Sequence, residues 1–142
     1  VVAGIGRGQL PHLDEHKARK QAIYRQYKEA FADISEIGMN PLNPDGDANN
    51  WLSGMLIERE SNVTPDMIMD ALEAENIESR PIWKPMHEQP VFVKCDFMPH
   101  NEDGSSVGSG VFERGLCLPS DIKNTQEDME RIISIIRNCF GR

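Results

Sequence analysis

Arg80, Trp83, Lys84, His87 and Gln89 sit close together among prolines at 81, 85 and 90. A guanidinium, an ammonium, an imidazole, an indole and an amide on one short segment are groups that hold polar or anionic ligands. Proline fixes its own φ and drives the preceding residue to extended conformations, so Glu78 to Phe92 cannot be a regular helix. The stretch reads as a short strand through Ile82 and Trp83, then a rigid extended loop. The same residues also fit a proline-rich edge strand whose charges face water. Arg80 offers a planar fork to a phosphate or carboxylate, or pairs with a neighbouring acid. Trp83 suits stacking on a base or sugar, or a place in the core. Lys84, between Trp83 and Pro85, is either in a dry neighbourhood or a surface charge at the end of the strand. His87, held between Pro85 and Pro90, can donate to a phosphate or sugar oxygen, or serve a local backbone group.

The elements that must position this stretch follow from periodicity and turn chemistry. Val1 to Leu10 reads as a small-residue helix containing Gly4, Gly6 and Gly8. The GxGxG spacing mimics a dinucleotide loop, but no strand precedes it, and close approach to another helix explains it better. Pro11 breaks or bends that helix, or starts a second one. Leu13, Ile23, Tyr24, Tyr27, Ala30, Phe31 and Ile34 mark an amphipathic helix over about His12 to Asp33. His12 and His16 stand at i, i+4, yet no third ligand is apparent and their neighbours form a charged face. Residues 38–50 are dense in turn formers and read as a loop. Trp51 to Ile57 reads as a buried strand with Gly54 as a close-approach point. Thr64, Pro65 and Asp66 open a helix that runs to Asn76, which can take the left-handed cap conformation. Residues 94–109 read as a polar loop, Ser109 to Arg114 as a short helix stopped by Gly115, and Leu116 to Leu118 as a strand halted by Pro119. Thr125 to Asp128 resembles a capping box. The apolar stripe Met129, Ile132, Ile133, Ile136 and Phe140 then runs to Gly141. A few short strands among helices predict one small sheet covered by helices, of α/β or α+β class, over the single domain 1–142.

Composition narrows the partners. The 142 residues carry 15 Lys+Arg against 23 Asp+Glu, a net charge of −8. An acidic chain argues against general nucleic-acid or anionic-membrane binding while leaving room for a local basic pocket. No apolar run is long enough to span a membrane and no signal peptide is visible. Cys95, Cys117 and Cys139 form no CxxC pair, which argues against structural zinc or a disulfide framework and for a reducing, cytoplasmic setting.

Three runs in order, VVAGIGRGQL (Val1 to Leu10), ESRPIWKPMHEQPVF (Glu78 to Phe92) and FERGLCLPS (Phe112 to Ser120), resemble the C-terminal third of the DegT/DnrJ/EryC1/StrS sugar aminotransferases. The resemblance covers nearly the whole chain and is thinnest at 36–50 and 94–106. It implies the small C-terminal domain of a fold-type I aminotransferase, with an antiparallel sheet of about three strands and a long N-terminal helix. It further implies that the chain is a fragment whose large, cofactor-binding domain lies upstream, a reading in keeping with the abrupt Val1 start. In such enzymes pyridoxal phosphate is the cofactor and the substrate a nucleotide-linked keto-sugar, aminated from glutamate by a homodimer. The Schiff-base lysine lies upstream in that pattern, so Lys84 is assigned no catalytic role and the fragment alone is expected to bind no cofactor and to be inactive. The resemblance places His87 in the nucleotide-sugar cleft, with Arg80, Trp83 and Lys84 as further substrate-binding candidates. Glu88 and Asp121-Ile122-Lys123 depart from the family's usual residues and leave the identity of the substrate open. A non-catalytic interaction or regulatory domain of the same fold is the alternative.

Overall fold

A computed structural model describes residues 1–99 and 101–142. His100, within the expected polar loop, lies outside the described residues. The chain opens with α1 (Val2–Gln9), every residue of which is exposed. A 3-10 turn at Leu10–His12, with Pro11 in its first turn, leads directly into α2 (Leu13–Ala30). Pro11 thus starts the second helix, because the N–H it lacks is one that a helix start leaves unpaired anyway. Ile23, Tyr24 and Tyr27 of α2 are buried, as are Phe31 and Ile34 just beyond it.

The sheet has four strands in the order β1-β2-β4-β3, all paired antiparallel. They are β1 (Ile37–Met39), β2 (Ser53–Ile57), β3 (Arg80–Pro81) and β4 (Gly115–Leu118). Among the mixed classes, antiparallel pairing with helices packed on it is that of α+β. Met55 and Ile57 of β2 and Leu116 and Leu118 of β4 point into one core with Tyr27, Phe31 and Ile34. α3 (Pro65–Glu73) adds Ile68 and Leu72 to that core; α5 (Gln126–Cys139) adds Met129, Ile132 and Ile136. Side chains alternate along a strand, so Leu56 and Gly115 face the other way, toward Ile82 and α4 (Val107–Arg114). Covered on both faces, β4 is buried at all four positions.

Local signals set several of these boundaries. Thr64 caps α3 by accepting a hydrogen bond from the Met67 N–H at 3.3 Å. Thr125 and Asp128 form a full capping box on α5, which satisfies two otherwise unpaired N–H groups. Asn76 takes the expected left-handed conformation at φ 59°.

Five sequence expectations change. The sheet has a fourth strand, β1, within and just before the turn-rich stretch expected to be a loop; Ile37 pairs with Ile57 and Met39 with Met55. The strand expected from Trp51 starts at Ser53 and leaves Trp51 exposed. The strand expected at Ile82 and Trp83 is instead Arg80–Pro81, an edge where proline's missing donor costs nothing. The loop after it is not extended but makes two 3-10 turns, Met86–Glu88 and Pro90–Phe92. Gly115, not Gly54, is the close-approach glycine: a Cβ there would lie 2.5 Å from the Val111 carbonyl oxygen.

Candidate functional site

The segment from Arg80 to Phe97 leaves the edge of the sheet and returns to α4 by way of the two 3-10 turns. Its first turn is closed by the Gln89 side chain, which donates to the Lys84 carbonyl at 3.1 Å, and by the Glu88 N–H to Pro85 carbonyl bond at 3.1 Å. Pro85 rests against Gly108 of α4, where an added Cβ would stand 3.4 Å from the proline ring. The prolines therefore do what their stiffness predicts: they fix the loop without a regular hydrogen-bond ladder.

Arg80, Trp83 and Lys84 are exposed, whereas His87 is half-buried. Its ring lies flat on Phe97, with centroids 3.7 Å apart and planes 12° from parallel. Its Nε2 stands 3.3 Å from the Ser109 hydroxyl. The Glu88 carboxylate lies 3.8 Å from the same nitrogen, beyond hydrogen-bond reach. The ring borders a mostly apolar cavity of about 330 Å³, shared with Met86, Phe92, Cys95, Asp96 and Phe97.

The other three expected residues do not converge on that cavity's lining. Arg80 forms an exposed ion pair with Glu78, the alternative in which its guanidinium meets a neighbouring acid. Trp83 is not in the core: it is 64% exposed and stands 6.0 Å from Trp51, tilted by 34°. Lys84 is exposed, with its ammonium 5.9 Å from the centre of the Phe112 ring, a distance at which a cation is attracted to an aromatic face. The site is thus an aromatic and cationic strip, Trp51, Trp83, Lys84 and Phe112, beside a clasped histidine. Sequence reading missed Trp51, Phe97, Ser109 and Phe112 as members. Phe97 carried the one usable signal, a lone aromatic in an otherwise polar stretch. His12 and His16 stack with centroids 6.0 Å apart, and no group of three or more metal-ligating side chains occurs among the described residues. No described helix is long and apolar enough to cross a membrane.

The sequence model of the DegT/DnrJ/EryC1/StrS aminotransferase family matches residues 1–137. Over 140 residues the chain is 36% identical to the Bacillus subtilis (strain 168) protein named "Putative pyridoxal phosphate-dependent aminotransferase EpsN", covering 99% of this chain and 35% of that protein. Over 137 residues it is 26% identical to GDP-perosamine synthase of Caulobacter vibrioides, covering 96% of this chain and 36% of the relative. The solved structure of S. venezuelae DesV superposes with a TM-score of 0.82 at 23% identity, over 99% of this chain and 36% of DesV. The chain therefore spans little more than a third of the length of the curated relatives it matches.

Proposed function

Because the chain belongs to the DegT/DnrJ/EryC1/StrS aminotransferase family, we propose that it is the C-terminal domain of a pyridoxal-phosphate enzyme that moves an amino group, from glutamate, onto a nucleotide-linked keto-sugar. The family match over residues 1–137 carries this reading. The domain walls the substrate cleft and has no amination activity by itself. His87 and Arg80 bind the nucleotide-sugar, and Trp83 and Lys84 line its path. Exposed Val2, Ile5 and Leu10 support contact with an upstream large domain or with the second subunit of a homodimer. Three free cysteines support a reducing, cytoplasmic setting.

Pyridoxal phosphate supplies the electron sink for such a transfer. The residues of this site do not fit that group. A Schiff-base lysine is held in a desolvated or strongly charged pocket, whereas Lys84 is exposed against Phe112. The cofactor is accordingly assigned to the rest of the polypeptide, and the residues described here bind and orient substrate. The Arg80–Glu78 pair is exposed at both ends, and such pairs contribute about 0–1 kcal/mol. Arg80 can therefore exchange Glu78 for a phosphate at little cost.

The test is nucleotide-sugar affinity in the complete polypeptide. His87→Ala removes a hydrogen bond worth about 1–3 kcal/mol if its partner is charged, roughly a tenfold to hundredfold loss. Arg80→Ala acts in the same direction, and cofactor content stays unchanged in both. Full affinity in both variants would remove this loop from the substrate site. The exposed apolar face of α1 favours a second reading, a non-catalytic interaction or regulatory domain. Absence of turnover by the complete polypeptide on any nucleotide-linked keto-sugar would select it.

A further inference from the structure

We infer that Ser109 and Phe97 are positioning residues that fix the ring of His87 and occupy its Nε2, so that His87 meets its ligand through Nδ1. The inference rests on the proposed role of His87 in binding substrate. An imidazole has two nitrogens and two faces. One nitrogen is taken: Nε2 lies 3.3 Å from the Ser109 hydroxyl. One face is taken: Phe97 lies parallel to the ring at 3.7 Å. Ser109 is itself held. It sits in the first turn of α4, and its N–H donates to the Ser106 hydroxyl at 3.2 Å, the N-cap bond of that helix. The hydroxyl that meets Nε2 is thus carried by a capped helix, whereas His87 is carried by a 3-10 turn.

Glu88 adds direction. Its carboxylate lies 3.8 Å from Nε2, so negative charge faces the same nitrogen that the Ser109 hydroxyl meets. In the neutral ring that arrangement favours the tautomer with its proton on Nε2 and its lone pair on Nδ1. His87 then accepts a hydrogen bond from a hydroxyl-bearing ligand, such as the sugar of a nucleotide-linked substrate. This differs from the donor role that the loop's composition suggested. Asp96 is a further acid bordering the same cavity.

The test uses the complete polypeptide with histidine labelled with nitrogen-15, the His87 signals being assigned by their loss in His87→Asn. Ser109→Ala is expected to shift the Nε2 resonance of His87, and Ser109→Thr to restore it. Phe97→Leu is expected to move the ring-proton signals by loss of the stacked face. Nitrogen signals unchanged in Ser109→Ala would overturn the positioning claim, whether or not the polypeptide binds a nucleotide-sugar. The second arm separates the two nitrogens, because an asparagine amide reaches the place of Nδ1 and a glutamine amide that of Nε2. His87→Asn is expected to retain about tenfold more nucleotide-sugar affinity than His87→Gln, the range of a hydrogen bond to a polar ligand. The reverse order would assign the ligand to Nε2 and overturn the inference. Equal, full affinity in both would instead overturn the proposed substrate role of His87, leaving the Ser109 result to stand on its spectrum.

Discussion

Cys95, Cys117 and Cys139 occupy three different environments, and that difference sets their chemistry. Cys95 is exposed on the rim of the cavity beside His87. Cys117 is buried in β4, and burial pushes its thiol pKa up. Burial also raises the Cys139 thiol, whose Sγ donates to the Ile135 carbonyl at 3.4 Å. Thiolate is the reactive form, so exposure and pKa act in the same direction here. A thiol-specific reagent at neutral pH is expected to modify exposed Cys95 at once, half-buried Cys139 more slowly and buried Cys117 only on unfolding. Cys95→Ser should abolish the fast phase. A persistent fast phase in that variant would mean that the strand or the last helix opens readily. Tyr27 shows the same logic with an oxygen: its hydroxyl donates to the Pro119 carbonyl at 2.7 Å, and burial raises its pKa.

At the scale of elements, β4 depends on one residue having no side chain. A Cβ on Gly115 would stand 2.5 Å from the Val111 carbonyl oxygen and 2.6 Å from Cγ1 of Ile82. The first is backbone of α4 and cannot rotate away. The backbone of Gly115 is extended at φ −110°, so the requirement is space and not conformation. Gly115→Ala must therefore push α4 or the Ile82 segment off the sheet. Overpacking of this kind costs about 1–3 kcal/mol, and because α4 carries Ser109, the variant should also loosen His87. Chemical denaturation reads the first effect. Gly54→Ala is the control: its nearest neighbours would be 3.6 Å away, ordinary contact. Equal stability of both variants would contradict the packing described for α4.

At the scale of the whole molecule, Asp33 and Arg137 join the two ends of the domain. Arg137 donates from Nη1 to Asp33 Oδ1 at 2.7 Å, from Nη2 to Oδ2 at 2.8 Å, and also to the Ala30 carbonyl. The fork closes the C-terminal end of α2 and ties it to α5. The Arg137 hydrogen bonds hold the Asp33 carboxyl down to about 2, below the ordinary aspartate value of about 3.9. A pKa lowered by folding stabilises the ionised native state. That stabilisation is complete above about pH 4 and disappears as pH falls toward 2. The melting temperature of Asp33→Asn should therefore lie below that of the natural chain at neutral pH, with the gap closing between pH 4 and pH 2. A gap that stays constant across that window would mean that the ion pair adds nothing beyond its neutral hydrogen bonds. Asp33 is well exposed, so added salt should shrink the gap as well.

What the sequence determined by itself is what depends on neighbours within a turn or two. Thr64-Pro65 and Thr125 to Asp128 start α3 and α5 because caps act within one helical turn. The stripes of α2 from Ile23 and of α5 from Met129 fall in the core because a period of three to four residues aligns them on one face, whereas Leu13, expected on the α2 stripe, is exposed. The three family runs were equally legible, since order and residue type survive without coordinates. Tertiary structure alone decided the rest. β1 exists because Ile37 to Met39 find a partner edge on β2, which no local propensity in a turn-rich stretch announces. Trp51 meets Trp83 outside the core because β2 and β3 pair with opposite edges of β4, which brings the residues flanking those strands within reach of each other. Gly115 rather than Gly54 is the essential glycine because α4 crosses there. His87 was the residue that its prolines pointed to, but its partners Ser109 and Phe97 lie on separate segments, with Ser109 22 residues away. Contacts across such distances are set by how helices and strands pack, and packing is a property of the folded chain.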